Sequence, residues 1–243
     1  MESMLPILYQ NKDFIIYSYP LLMGLGWGVG HQIFFSISDI PTKFKNLLFW
    51  GLFILSWVGS KLLYIFNSNK IEIGVLSEST FWTGGGFVFY GGFLFGLIYL
   101  IFYRSFKFPL TLKSLNALIL ATIFGHSIGR LGCFLAGCCF GEVTDKWWAI
   151  NIEGVHRHPT QLFESFLLLI MGLVILKKVK DSFVLPIYFV SYGGIRILIE
   201  FLRGDDIRGQ WGALSPSQWI SIGLIFMGFV LILNNKFIKL EKG

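Results

Sequence analysis

Charge is what this sequence has least of. Only 14% of its 243 residues are Asp, Glu, Lys or Arg, where an ordinary soluble domain carries about 25%. That shortage excludes a soluble globular enzyme. Three cysteines do not make a disulfide-stapled secreted module. Residues 1–13 lack the basic start and small-residue cleavage site of a secretory signal, so the first apolar run is expected to stay in the mature protein. There is no low-complexity tract and no internal repeat. What remains is apolar: 54% hydrophobic and 18% aromatic side chains, with a mean hydropathy of +0.67. That composition excludes a disordered chain and leaves a polytopic membrane protein. The net charge of +6 needs no nucleic-acid partner, because the lysines sit in loops, as the positive-inside rule explains.

At roughly 20 residues per spanning helix plus loops, the chain holds about seven spans. Apolar runs fall near 14–37, 46–66, 81–103, 114–136, 162–176, 183–202 and 216–234. Short loops leave no room for a second domain, so the expected fold is all-α, one integral membrane domain over 1–243. Alternate connecting segments differ in basic residues. One set, from Lys43 to Lys242, holds eleven; the other, from Lys12 to Arg208, holds six. The richer set is expected in the cytoplasm, which puts the N-terminus outside and the C-terminus inside.

A charge inside a membrane helix is costly, so it pairs, snorkels or serves a function. Lys61, near the outer end of the second run, is read either as snorkelling to the interface or as functional. His126 and Arg130 are four apart and share a helix face. Tyr192, Arg196 and Glu200 are also spaced by four, and Arg203 follows by three, which makes one polar stripe. The stripe reads either as a structural ion pair between spans or as an anion site. In the second reading two arginines and one glutamate leave a cation to spare for a phosphate. The run His158-Pro159-Thr160-Gln161-Leu162-Phe163-Glu164 opens the fifth span, with Gln161 and Glu164 placed to point the same way. On this topology Arg130, the 137–160 loop, His158, Glu164 and Arg203 all lie toward the outer face, where a pocket at the headgroup layer is expected.

The three cysteines, Cys133, Cys138 and Cys139, leave four readings open. They are a zinc site with a histidine, a disulfide with one thiol left over, a nucleophile, and small apolar packing between helices. The last is the reading adopted, and no metal is assigned.

At these residues the chain resembles the prolipoprotein diacylglyceryl transferase family. Gly59 to Asn67, containing Lys61 and Tyr64, is similar to that family's second-span segment, with lysine where arginine is common. Gly84-Gly85-Gly86-Phe87-Val88-Phe89-Tyr90-Gly91-Gly92 is similar to its glycine-rich third-span entry. Gly129-Arg130-Leu131-Gly132, followed by Phe134 and Gly141, matches the frame of its signature. His158 to Glu164, then Tyr192-Gly193 with Arg196, Glu200 and Arg203, and finally Ser215 and Gln218, continue the ordered series. Departures are also clear. Tyr90 stands where the family has histidine, Cys133 and Ala136 where it has asparagine, and Cys138 where it has glutamate.

The resemblance implies seven spans, an outer N-terminus and a bacterial cytoplasmic (inner) membrane location with the active site toward the outer face. It implies transfer of diacylglyceryl from phosphatidylglycerol to the lipobox cysteine thiol of a lipoprotein precursor, recognised by its signal peptide, with no cofactor. Glycerol phosphate leaves in that reaction, so cations beside it stabilise developing charge. Arg130 and Arg196 are expected in this role, with Tyr192, Tyr90 and His126 as further catalytic candidates. Lys61, Tyr64, Gly132, Cys133, Gly141, His158, Gln161, Glu164, Glu200 and Arg203 are expected to bind substrate. Tyrosine is a poor base at neutral pH, so His126, His156 or His158 is the expected substitute. Two further readings stand beside this one: a divergent paralogue that transfers lipid to another acceptor, and a non-catalytic lipid-binding protein.

Overall fold

The computed structural model describes residues 4–11, 15–67, 81–82, 88–152, 154–204, 212 and 214–234. Among them are seven helices: α1 (Ser18–Ile37), α2 (Thr42–Asn67), α3 (Phe89–Ser105), α4 (Leu112–Leu135), α5 (Thr160–Lys178), α6 (Val184–Glu200) and α7 (Pro216–Leu233). Five helical segments are long and apolar enough to cross a membrane: Thr42–Phe66, Leu112–Leu135, Thr160–Lys178, Asp181–Glu200 and Pro216–Leu233. The α1 segment has the length, but four glycines with His31 and Gln32 dilute its apolar content. Helix α3 is 17 residues long, the lower end of what a bilayer needs.

The all-helical expectation holds for the bulk and needs one correction. Two short antiparallel hairpins are present: β1 (Ile7–Gln10) with β2 (Ile15–Tyr17), and β3 (Ile150–Ile152) with β4 (Val155–Arg157). Three-residue strands carry too little alternation to be read from a sequence. The first hairpin also takes residues that the apolar run near 14–37 had assigned to a span.

The contacts divide the chain into two units, Met1–Ile33 with Asn116–Gly243, and Phe34–Leu115. Both boundaries fall inside helices, α1 and α4. The first unit is held by close backbone approach and by buried hydroxyls. A Cβ built on Gly26 would lie 2.8 Å from the Gly125 carbonyl oxygen, and one on Gly193 would lie 2.8 Å from that of Ser221. Small residues let helices approach where lipid offers no hydrophobic drive for association. Ser127 Oγ donates to the Ser165 carbonyl at 2.8 Å, and Ser165 Oγ returns the bond to Ser127 at 2.8 Å. This reciprocal pair ties α4 to α5 with side chains that are both buried. The outward faces stay apolar, as Phe226 and Leu233 on α7 show.

The second unit pairs α2 with α3. A Cβ on Gly59 would lie 2.5 Å from the Gly91 carbonyl oxygen, so the backbones touch here. Tyr99 donates its hydroxyl to the Leu47 carbonyl at 2.6 Å. Lys61 does not snorkel. It is fully buried, donates Nζ to the Phe81 carbonyl at 2.5 Å and sits 4.8 Å from the centre of the Phe81 ring. A buried ammonium finds these partners because leaving it unpaired in an apolar surrounding costs far more. Tyr64, on the same helix, is exposed. Of the glycine-rich segment, 83–87 lies outside the described residues, as does the Tyr90 side chain in the first turn of α3.

Candidate active site

Glu164 is the centre of the polar cluster in the first unit. It sits in the second turn of α5 and is 1% exposed. Pro159 stands at the position before the first helical residue, which suits a ring that carries no N–H to satisfy. The helix begins one residue later than His158-Pro159 suggests, so Gln161 and Glu164 lie on it and His158 does not. Arg130, one turn from the end of α4, reaches Glu164 with two nitrogens: Nη2 is 3.0 Å from Oε1 and Nε 3.0 Å from Oε2. Arg196 on α6 places Nη1 3.3 Å from Oε2 of the same carboxylate. Its Nη2 lies 2.9 Å from Oε2 of Glu200, one turn further along. Glu200 Oε1 in turn accepts from Ser215 Oγ at 2.8 Å.

Ser215 caps α7. Its Oγ accepts from the Gln218 amide, and the Gln218 side chain accepts from the Ser215 amide. This reciprocal capping box is favoured by Ser with Gln three positions later. The network therefore runs across four helices. Glu200 pairs with Arg196 and accepts from Ser215, and Arg130, Arg196, Glu164 and Glu200 form one quartet of charges.

The remaining candidates fall into place around this quartet. His126 lies 3.8 Å from Glu164 Oε1 and its ring is 5.8 Å from that of Tyr192. Tyr192 also stacks on Tyr188. Arg203 is buried and its backbone bridges to Gly141. Gly141 is pinned between two segments of the chain: a Cβ there would fall 2.5 Å from both the Leu202 carbonyl oxygen and the His158 Cβ. Gly132 faces Leu22 and Tyr19 of α1, so its hydrogen serves helix packing rather than a substrate.

His158 is corrected as a base. Trp148 Nε1 donates to its Nδ1 at 2.9 Å. An acceptor at Nδ1 puts the neutral ring's proton on Nε2, so neither nitrogen is open to take another from a substrate. Trp148 carried no signal in the sequence, because it lies ten residues away in the loop. His156 is exposed on β4, paired in register with Asn151. His126 remains as the histidine beside the quartet.

The turn after α4 holds the cysteines. All three are free thiols, and their Sγ atoms lie within 4.8 Å of one another. Cys133, in the last turn of α4, is half-buried, Cys139 is half-buried, and Cys138 is exposed. Apolar packing between helices therefore does not describe Cys138. Gln161 Nε2 donates to the Cys138 carbonyl at 2.6 Å, and Thr160 Oγ1 to the Cys139 carbonyl at 2.9 Å. The start of α5 thus fixes the turn and presents Glu164 with the same two helical turns. Lys61, Tyr64 and Tyr90 belong to the second unit.

Known proteins resemble this chain along nearly its whole length. The family description "prolipoprotein diacylglyceryl transferase" matches residues 6–234. A phosphatidylglycerol–prolipoprotein diacylglyceryl transferase of Clostridium tetani is 30% identical over 260 aligned residues, covering 97% of this chain and all of the relative. The protein of the same name from Finegoldia magna is 32% identical over 230 residues, covering 90% of each chain. A second such transferase of Clostridium perfringens is 32% identical over 236 residues, covering 91% of each. With a match across nearly its whole length, on top of the helices and the buried arginine–glutamate network, the chain belongs to the prolipoprotein diacylglyceryl transferase family.

Proposed function

We propose that the protein is a phosphatidylglycerol–prolipoprotein diacylglyceryl transferase of the bacterial inner membrane. It works as one integral membrane domain with seven spans, its N-terminus outside and its site toward the outer face. The observation that carries the reading is the pair Arg130 and Arg196, two guanidinium groups from different helices held on one buried carboxylate. The lipid's phosphate is the ligand that such a pair suits, since arginine offers forked donors to an anion.

In the proposed reaction the thiolate of the precursor cysteine attacks the glyceryl carbon that bears the phosphate ester. A C–S bond forms, the C–O bond to phosphate breaks, and glycerol phosphate leaves with the electron pair. Arg130 and Arg196 stabilise charge as it grows on that leaving group. Arg203, buried just past the end of α6, draws the headgroup in. Glu164 holds both guanidinium planes, so they need no rearrangement when the lipid arrives. Tyr192 and His126 border the quartet and shape the space beside it. No step is routed through Lys61, Tyr64 or Tyr90.

The test is mass-spectrometric detection of a diacylglyceryl-modified lipobox peptide after purified protein is mixed with phosphatidylglycerol and precursor. Transfer is expected, and Arg130→Ala or Arg196→Ala is expected to lower it at least about tenfold, as for loss of a transition-state cation. Absence of transfer by folded protein would overturn the assignment. A divergent acceptor is the second reading, favoured by Tyr90 where the family has histidine. Precursor modification that appears only in the Tyr90→His variant would favour it.

A further inference from the structure

We propose that Cys133, Cys138 and Cys139 form a three-thiolate site for zinc whose open position takes the acceptor thiol. The proposal rests on the transferase reading for the identity of that thiol, and on the geometry of the turn for the site itself.

Three sulfurs from a seven-residue stretch lie within 4.8 Å of one another. A short turn does not bring three side chains to one point by default, because successive residues diverge. Here the backbone is specifically bent. Gly137 has φ +73° and Cys139 φ +63°, the left-handed region that a non-glycine residue rarely occupies. In this bent turn the Cys138 and Cys139 thiols both come within 4.8 Å of that of Cys133. The bend is anchored at both carbonyls by Gln161 and Thr160, and by the Cys138 amide donating to the Cys133 carbonyl at 3.1 Å. A preset ligand triad of this kind lowers the ordering cost of binding a metal.

The chemistry of the donors selects the ion. Thiolates suit zinc, which takes four ligands in a tetrahedron. A structural site is closed by four protein ligands, and a reactive site keeps one position open. Three cysteines leave one position, and the exposed Cys138 edge gives access to it. Zinc with three thiolates carries a net negative charge, and the neighbours suit that charge. Arg130 sits one helical turn before Cys133 on α4, on the same face. A second observation comes from Gln161. Its side chain is 1% exposed, its amide nitrogen is used on the Cys138 carbonyl, and its Oε1 is buried with no hydrogen-bond partner. Buried acceptors are normally satisfied, so this one marks a place beside the cysteine turn where a donor belongs.

The function of such a site follows from the reaction. The precursor thiol must lose its proton before it attacks carbon, and the chain has Tyr90 rather than histidine at the family's position. Bound to zinc, the thiol sheds its proton to water and remains as a coordinated thiolate. It then forms the C–S bond, while the phosphate ester bond breaks and the thioether product leaves the metal. The arginines hold the leaving group, and the zinc supplies the nucleophile.

The full chain in detergent, reduced and stripped with a chelator, is titrated with cobalt(II) without oxygen. Expected is one cobalt per chain, with a near-ultraviolet thiolate-to-cobalt band and tetrahedral visible bands that zinc bleaches. Cys138→Ala, an exposed position whose change leaves packing intact, is expected to weaken binding at least about tenfold. A lipobox peptide is expected to shift the visible bands, and the same peptide with serine for cysteine is not. Absence of the thiolate band in reduced wild-type protein overturns the site, and a disulfide as its only measurable chemistry does the same. Bands that ignore the cysteine peptide, or transfer unchanged after metal removal, overturn the thiol-activating role while leaving the transferase reading in place. Cobalt binding with a peptide-dependent shift but no transfer to any precursor fails the transferase reading and keeps the site.

Discussion

Glu164 grips Arg130 at two points, with Nη2 3.0 Å from one carboxylate oxygen and Nε 3.0 Å from the other. The same carboxylate also holds Arg196. The relationship between residues 34 positions apart decides what both arginines can do. Two cations on different helices would otherwise repel, and a buried pair is tolerated when its geometry is good and the charges are compensated.

Glu164→Gln is therefore expected to be destabilising as well as inactivating. It leaves two guanidinium groups facing each other across a neutral amide. The loss expected on breaking one side of a buried ion pair is about 3 kcal/mol. Thermal unfolding in detergent measures it, and an unchanged midpoint would contradict the central role of this carboxylate. Glu164→Asp keeps the charge but shortens the reach, and is expected to recover only part of the stability.

In the second unit the backbones of α2 and α3 touch at Gly59 and Gly91. Gly91→Leu is expected to push the helices apart at a cost of about 1–3 kcal/mol, the usual range for overpacking. A substitution at Gly223, where a Cβ meets nothing within 4 Å, serves as the control. Equal stability of the two variants would show that the α2–α3 approach is not tight.

Asp39 lies between α1 and α2. Its carboxylate accepts from the Thr111 hydroxyl and from Ser114 Oγ, the latter at 3.1 Å. The Thr111 bond is the main cause that holds its pKa below the ordinary 3.8. A carboxyl lowered by folding contributes stability above its unfolded pKa and loses it as pH falls through the folded one. Stability is thus expected to drop as the medium is acidified below about pH 4, with a smaller drop in Thr111→Val. Because Asp39 is exposed, the difference is expected to be modest. Unfolding midpoints at several pH values measure it. Identical pH profiles for the two proteins would refute the link.

Much of the molecule was legible from sequence for definite reasons. Apolar runs of 17 residues or more have one physical use, so most helices were placed within a few residues. The Tyr192, Arg196 and Glu200 stripe follows from helical periodicity alone, and the Ser215–Gln218 box from the chemistry of a helix start. The sequence left Lys61 open because a lysine near a helix end has two outlets, and only the Phe81 carbonyl beside it shows which one is taken. The tautomer of His158 was hidden for a similar reason, since Trp148 reaches it across a loop.

The sequence by itself determined that this chain is a membrane protein, which helices it forms, and which polar residues those helices carry. Water and lipid impose that choice locally, residue by residue, through apolar runs and periodicity. Only the tertiary structure decided that Arg130 and Arg196 share Glu164, that Arg196 also pairs with Glu200, and that three thiols meet at the end of α4. Pairing of buried charges depends on which helices pack together. That packing is set by close approaches such as Gly26 with Gly125 and by hydroxyl pairs such as Ser127 with Ser165, and no local pattern announces them.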